Sequence, residues 1–157
     1  MKINISGLSE GAHQYERSGS AGEVGFGPNF IGDVLANITL EKSTHQIVAT
    51  VTASVKGVFI CDRCASEFSD SVKTRFTVVF TWEQTEETVE DDDFRILRKD
   101  ENEIDFSSFV NEYLTLSVPL KLLCKNNCVI PEHIQAKQES VDPRWEKLRI
   151  LKQTEKN

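Results

Sequence analysis

Two short cysteine pairs separated by about sixty residues set the strongest constraint on the fold of this chain. The first pair is Cys61 and Cys64, with C-x2-C spacing, and the second is Cys124 and Cys128, with C-x3-C spacing. A tetrahedron of sulfur ligands is typical of a structural zinc ion, and two short-spaced pairs supply it at little chain-closure cost. The long separation exceeds that of a self-contained finger. A metal here would therefore fasten two distant parts of the chain together.

The cellular setting expected from the sequence decides how these cysteines can be used. The N-terminus lacks the basic and apolar regions of an export signal, and no apolar run approaches membrane-spanning length, so we expect a cytoplasmic protein with no membrane partner. Because disulfides are rare in the reducing cytosol, metal ligation and free thiols are the leading interpretations, with zinc favoured. A redox pair is the third interpretation, and the absence of a βαβ pattern around Cys61 and Cys64 argues against it. His133 could replace one ligand, although an isolated histidine beside a proline is usually a solvated loop residue.

The chain is acidic, and its excess negative charge falls in one segment. Ten acidic and three basic residues lie between residues 83 and 103, an excess equal to the whole net charge of −7. Such a charge run buries little apolar surface, so we predict that residues 83–103 form an acidic mobile segment. The rest of the chain is balanced in charge and offers no large positive field to a phosphate backbone. Direct binding to naked RNA is therefore expected to be weak.

Alternation of apolar and polar side chains predicts a mainly antiparallel sheet. Residues 34–40 and 47–55 alternate with the period of half-buried strands on either side of a turn at 43–45, which predicts a hairpin. Residues 72–82 predict a third long strand, and residues 94–97 a short edge strand. Nearer the N-terminus the weaker pattern predicts a short strand over 3–8, a loop over 9–32 and a strand fragment near 24–26 within that loop.

Two helices complete a predicted α+β fold. Apolar residues with helical spacing predict an amphipathic helix over residues 105–116, with Asp105 as its N-cap. Asp142 followed by Pro143 is typical of a helix start, so residues 142–157 are predicted to form a short basic C-terminal helix or tail. The expected architecture is a single domain over residues 1–157. Its mainly antiparallel β-sheet could close into a barrel-like form.

The sequence carries no sign of catalysis. A phosphate-binding loop, a dinucleotide fingerprint and a G-x-S-x-G elbow are all missing. The acidic segment lacks the ligand order of an EF-hand, which favours a solvated charge run over a calcium site. We therefore expect a protein that is not an enzyme.

Several blocks, taken in their order along the chain, resemble one bacterial protein family. They are GVFICDRC at residues 57–64, IDF at 104–106 with EYLTLSVPL at 112–120, the second cysteine pair at 124–128, and DPRWEKL at 142–148. In these blocks the chain resembles the YceD family, the large ribosomal RNA subunit accumulation proteins, which also have plastid relatives. The resemblance aligns the two cysteine pairs of the family with those of this chain. Many relatives carry further cysteines after the second pair, whereas this chain has four candidate ligands and no spare.

The resemblance implies a non-enzymatic ribosome-biogenesis factor that supports the synthesis, processing or accumulation of large-subunit (23S) ribosomal RNA. Its expected partner is a ribosomal protein, an rRNA-processing protein or a pre-ribosomal particle. One rival interpretation is a direct RNA-binding zinc-knuckle module, which basic residues of the tail such as Arg144 and Lys147 favour. A redox or hydrolytic enzyme is the second rival, and a site closed by four thiolates disfavours it.

Overall fold

The structure is an α+β fold, as predicted, and is built mainly from antiparallel strands. The computed structural model describes residues 1–82, 94–98, 100–125 and 128–130. In chain order its elements are β1 (Lys2–Asn4), β2 (Gly11–Ser20), α1 (Ala21–Val24), β3 (Phe30–Lys42), β4 (Gln46–Ile60), β5 (Glu67–Thr81), β6 (Phe94–Ile96), β7 (Glu103–Asp105) and α2 (Ser107–Leu116).

Strands β2 to β6 form one sheet with the spatial order β2-β3-β4-β5-β6. Strands β2 to β5 are antiparallel to one another in sequence, which confirms the predicted hairpin and third long strand. Strand β6 runs parallel to the end of β5 and confirms the short edge strand. Because β2 and β6 lie at opposite edges, the sheet stays open over the described residues and does not close into a barrel-like form. Strands β1 and β7 pair separately as a two-stranded antiparallel sheet.

Helix α2 packs on the apolar face of the sheet. The alternation of side chains along β3, β4 and β5 gives the sheet one buried face, and the apolar stripe of the helix packs on the β4 and β5 part of it. Leu114 is fully buried, the ring of Phe106 meets Phe80 edge-on, and Tyr113 stacks on Phe76 with ring centroids 4.1 Å apart. These contacts fix the helix against β5. Neither helix in the described part of the chain has the length and apolar character that crossing a bilayer requires.

The N-terminal region differs from its predicted structure. Strand β2 lies within the predicted loop, and helix α1 lies where a strand fragment near residues 24–26 is predicted. A capping box explains α1: the amide of Glu23 donates to the Ser20 hydroxyl (3.3 Å), and the amide of Ser20 donates to the Glu23 carboxylate (3.1 Å). Gly25 then ends the helix in a left-handed conformation (φ 94°). The predicted strand over residues 3–8 is shorter and begins earlier, at Lys2–Asn4.

Helix α2 confirms the predicted amphipathic helix but begins after the residue predicted as its cap. Phe106 occupies the N-cap position and makes no side-chain capping bond. Asp105 acts from one residue earlier, because its carboxylate accepts a hydrogen bond from the amide of Ser107 (2.9 Å). The amino group of Met1 lies 3.1 Å from the same carboxylate oxygen. Asp105 thus links the start of the helix to strand β1.

Several predictions concern residues outside the described ranges. They include most of the predicted acidic mobile segment 83–103, the predicted basic helix or tail at 142–157, and His133. These stay predictions, as does the extent of the single domain.

Candidate metal centre

The first cysteine pair lies in the loop that joins β4 to β5. The amide of Cys61 donates to the carbonyl of Ser66 (2.9 Å), and the amide of Ala65 donates back to the carbonyl of Cys61 (2.9 Å). Ala65 adopts a left-handed conformation (φ 57°), which lets the chain reverse within this short connection. The loop is therefore a tight knuckle held at both ends by the long strands.

Hydrogen bonds donated by backbone amides tie the segment after α2 to this knuckle. The amide of Asp62 donates to the carbonyl of Leu122 (2.8 Å), and the amide of Leu122 donates to the Asp62 carboxylate (2.6 Å). The amide of Cys124 donates to the sulfur of Cys61 (3.4 Å). Sequence reasoning assigns Asp62 no role, because a charged residue between two cysteines is usually ordinary surface. In the structure this side chain aligns the two cysteine-bearing segments.

All four cysteines predicted as metal ligands converge at one place. The sulfur atoms of Cys61 and Cys128 are 3.6 Å apart, as are those of Cys64 and Cys124, and all four lie within 4.8 Å of one another. Sulfur atoms placed about 2.3 Å from a tetrahedral zinc are about 3.8 Å from each other, so these separations fit a four-coordinate ion. Disulfide sulfurs are only about 2.05 Å apart, and all four cysteines are free. The cluster is therefore a candidate metal site.

Hydrogen bonds and burial affect the four thiols in opposite ways. The amide of Cys124 and two amides of the knuckle stabilise the Cys61 thiolate and lower the pKa of Cys61 to about 6, against the opposing effect of burial. The hydrogen bond with the Ser66 side chain lowers the pKa of Cys64. Burial raises the pKa of Cys124 to about 12 and also raises the pKa of Cys128. The knuckle thus favours thiolates, whereas burial favours the protonated thiols of the second pair, whose protons a bound metal ion would displace.

The accessibility of the cluster is uneven. Cys61 and Cys128 are buried, while Cys64 and Cys124 are half-buried and line a surface depression of about 480 Å³ together with Val129. Four sulfur ligands would complete the coordination of zinc and leave no position for water or a substrate. The chemistry of this donor set is that of a structural site.

Aromatic packing supports the strand ends that carry the knuckle. The ring of Phe59 on β4 lies between Phe30 and Phe68, with centroids 6.0 Å and 6.1 Å away. The same ring covers Gly57, where a Cβ atom would lie 2.3 Å from the nearest ring carbon. Glycine at this position therefore leaves the space that the Phe59 ring occupies.

Comparison with known proteins connects this architecture to ribosomal RNA. A sequence profile described as large ribosomal RNA subunit accumulation protein YceD matches residues 49–152, which is more than half of the chain. The matched region contains β5, α2 and both cysteine pairs. Neither a curated protein nor a solved structure matches the chain.

Proposed function

The chain belongs to the YceD family of large ribosomal RNA subunit accumulation proteins, and from this membership we propose that it is a non-enzymatic ribosome-biogenesis factor. In this role it supports the processing or accumulation of large-subunit (23S) ribosomal RNA in the bacterial cytoplasm. The observation that carries the proposal is the family match over residues 49–152, which takes in both cysteine pairs.

The protein acts by binding, and its partner is a pre-ribosomal particle or a protein of that particle. The charge distribution supports this mode, because the chain outside residues 83–103 has no excess positive charge. Counterion release from RNA phosphates then contributes little free energy, and affinity for naked RNA stays weak. A ribonucleoprotein partner supplies protein and RNA contacts together.

Zinc bound by Cys61, Cys64, Cys124 and Cys128 has a structural role in this proposal. The sulfur separations and the stabilised thiolate of Cys61 support it. Bound metal would fasten the loop between β4 and β5 to the segment that follows α2, two regions already joined by the Asp62 and Leu122 hydrogen bonds. The ion would thereby hold helix α2 on the sheet from its C-terminal end.

A deletion strain tests the proposed role in the cell. Removing the gene should lower mature 23S ribosomal RNA or leave its precursors, and plasmid-borne wild-type protein should restore the normal pattern. The measurement is quantitative RNA analysis, with small-subunit 16S RNA as the internal control. Large-subunit RNA that is unchanged in the deletion strain would contradict the proposal.

Sedimentation separates the proposed partner from the direct RNA-binding rival. The protein should travel with large-subunit precursor particles through a sucrose gradient at near-physiological salt. Purified protein should bind naked 23S RNA only weakly under the same conditions. Tight binding to naked RNA with a steep salt dependence would instead establish a direct RNA-binding zinc-knuckle module, an alternative that the knuckle at Cys61 and Cys64 favours.

A further inference from the structure

The polar face of the central sheet carries three exposed cations on two neighbouring strands. Lys56 lies on β4, and Lys73 and Arg75 lie on β5. All three point to the face opposite the core, because each alternates with a buried residue of its strand. In the register of the two strands, Lys56 lies opposite Ser71, Lys73 opposite Ser54, and Arg75 opposite Thr52.

The three cations form a row, called the basic row below. Lys73 and Arg75 are two residues apart on one strand, which separates them by about 7 Å. Lys56 and Lys73 are diagonal neighbours across the strand pair, with a separation of about 7–8 Å. Successive phosphates of a nucleic-acid strand have a similar spacing. Hydroxyl side chains between and beside the cations can also bond to phosphate or ribose oxygens: Thr50, Thr52, Ser54, Ser71 and Thr77.

The basic row is not neutralised within the part of the chain that the structure describes. None of its members forms an ion pair there. Glu16 lies three strands from Arg75, about 14 Å away, which exceeds the Debye length of about 8 Å at physiological ionic strength. Asp33 lies in the irregular part of β3 opposite this region and forms no ion pair with Lys56. Asp70 lies on β5 opposite Gly57, next to Lys56, and it too forms no ion pair with the row among the described residues. The row therefore presents its charge to an external anion.

Protection of a sheet edge explains only part of this pattern. Charged residues on an edge strand prevent pairing with other chains. Over the described residues most of β5 is an edge, because β6 pairs only with its last residues, Val79 to Thr81. That accounts for Lys73 and Arg75. It does not account for Lys56, which lies on the central strand β4.

We propose that the basic row of Lys56, Lys73 and Arg75 contacts the phosphate backbone of folded RNA within the pre-ribosomal particle. This inference rests on the proposed function, from which it takes the particle as partner. Three cations release few counterions, so the contact strengthens binding to a particle without giving tight binding to naked RNA. The polar face of the sheet would then orient the protein on RNA, while other surfaces of the protein bind the proteins of the particle.

Salt-dependent binding to purified large-subunit precursor particles tests the inference. The triple variant Lys56→Gln, Lys73→Gln, Arg75→Gln should reduce the slope of log affinity against log salt by about three. Between 50 and 200 mM salt, the affinity of the wild-type protein should accordingly fall about sixtyfold more than that of the variant. The single variant Lys56→Gln should reduce the slope by about one.

A second triple variant, with the same loss of charge elsewhere on the surface, serves as the matched control. Lys2→Gln, Arg98→Gln, Lys125→Gln should keep the wild-type slope, and circular dichroism should show that both triple variants are folded. Equal slopes for the wild-type protein and the basic-row variants would overturn the inference alone, as would equal losses in the two triple variants. Wild-type protein that binds no particle would overturn the proposed function itself, and the inference with it.

Discussion

Gly57 lies under an aromatic ring that has little room to move. The Phe59 ring lies within 2.3 Å of the position of a Cβ at residue 57, and Phe30 and Phe68 contact that ring from other sides. We expect Gly57→Ala to destabilise the protein by about 1–3 kcal/mol, the usual cost of overpacking a core. Calorimetry should show a melting temperature that is lower by about 2–4 °C for each kcal/mol lost.

Gly27 supplies the control for that substitution. Nothing lies within 4 Å of a Cβ placed there, and its backbone conformation suits any residue. Gly27→Ala should therefore change stability by less than about 0.5 kcal/mol. If Gly57→Ala melts like Gly27→Ala, the Phe59 ring is free to move and the packing argument fails.

Asp105 gives folding a pH dependence in the acid range. Burial would raise the pKa of Asp105, but hydrogen bonds from Ser107 and from the amino group of Met1 outweigh it and lower the pKa from 3.8 to about 2. A carboxyl group with a lowered folded-state pKa stabilises the protein above its ordinary pKa, and this contribution is lost as the pH falls towards 2. We expect Asp105→Asn to be less stable than wild type at pH 7, with a gap that closes between pH 4 and pH 2.

Urea unfolding at a series of pH values measures this gap. The Asp105 side chain is 48% exposed, so solvent screening keeps its contribution modest. Glu112→Gln, an exposed position on the same helix, should show a much smaller gap at neutral pH. A gap for Asp105→Asn that stays constant down to pH 2 would mean that the carboxylate charge plays no part.

The secondary structure elements differ in how far the sequence predicts them. Strands β3 to β5 and helix α2 bury one face each, so their apolar residues recur with the period of the element. Strand β2 has no apolar alternation, because its half-buried positions include His13 and Arg17, and its pairing with β3 determines its conformation. Helix α1 is too short for periodicity. Its capping signature, Ser20 and Glu23 followed by Gly25, is nevertheless present in the sequence.

In the candidate site, too, some features can be predicted from local sequence and others depend on tertiary packing. The spacing within each cysteine pair favours a site with four sulfur ligands over free thiols or a redox pair, and the structure brings the four sulfurs together. The hydrogen bonds between Asp62 and Leu122 depend on how α2 packs on the sheet, and no local sequence pattern predicts them. The basic row likewise appears only when β4 and β5 are aligned in register.

Metal content tests the proposed role of the cysteine cluster. Reduced protein should hold about one zinc per chain by elemental analysis. Cys61→Ser should lose the metal and melt at a lower temperature, because three remaining thiols cannot close the site. Ser66→Ala, which removes a hydrogen-bond partner of Cys64 but no ligand, should keep the metal. Metal-free wild-type protein, purified with zinc and reductant, would contradict the zinc proposal.

The affinity of the cluster for zinc should fall as the pH is lowered. The raised pKa values of Cys124 and Cys128 mean that both thiols hold protons near neutral pH in the absence of metal. Zinc must displace those protons, so acid competes with binding. Titration against a zinc-sensitive dye between pH 6 and pH 8 should show tighter binding at the higher pH. A flat profile would mean that the thiols are already ionised.

The described part of the chain combines a meander of neighbouring strands with junctions between distant segments, among them the pairing of β1 with β7 and the cysteine cluster. Each pair among β2 to β5 is joined by a short connection, whereas the cysteine cluster joins segments about sixty residues apart. A metal at this junction would connect the sheet to α2 rather than stabilise either one alone. Chelation should accordingly leave much of the sheet signal in circular dichroism while it lowers the melting temperature.

The strand pairs and the cysteine cluster join residues at very different separations along the chain, and this difference predicts the order in which they form during folding. Short hairpin connections close quickly, whereas closing a loop of about sixty residues costs more conformational entropy and is slower. The sheet should therefore form before the four sulfurs can meet, and zinc uptake should be a late step. In stopped-flow refolding with a zinc-sensitive dye, the β-sheet signal should recover first. Zinc capture that precedes the sheet would show that the metal instead nucleates the fold.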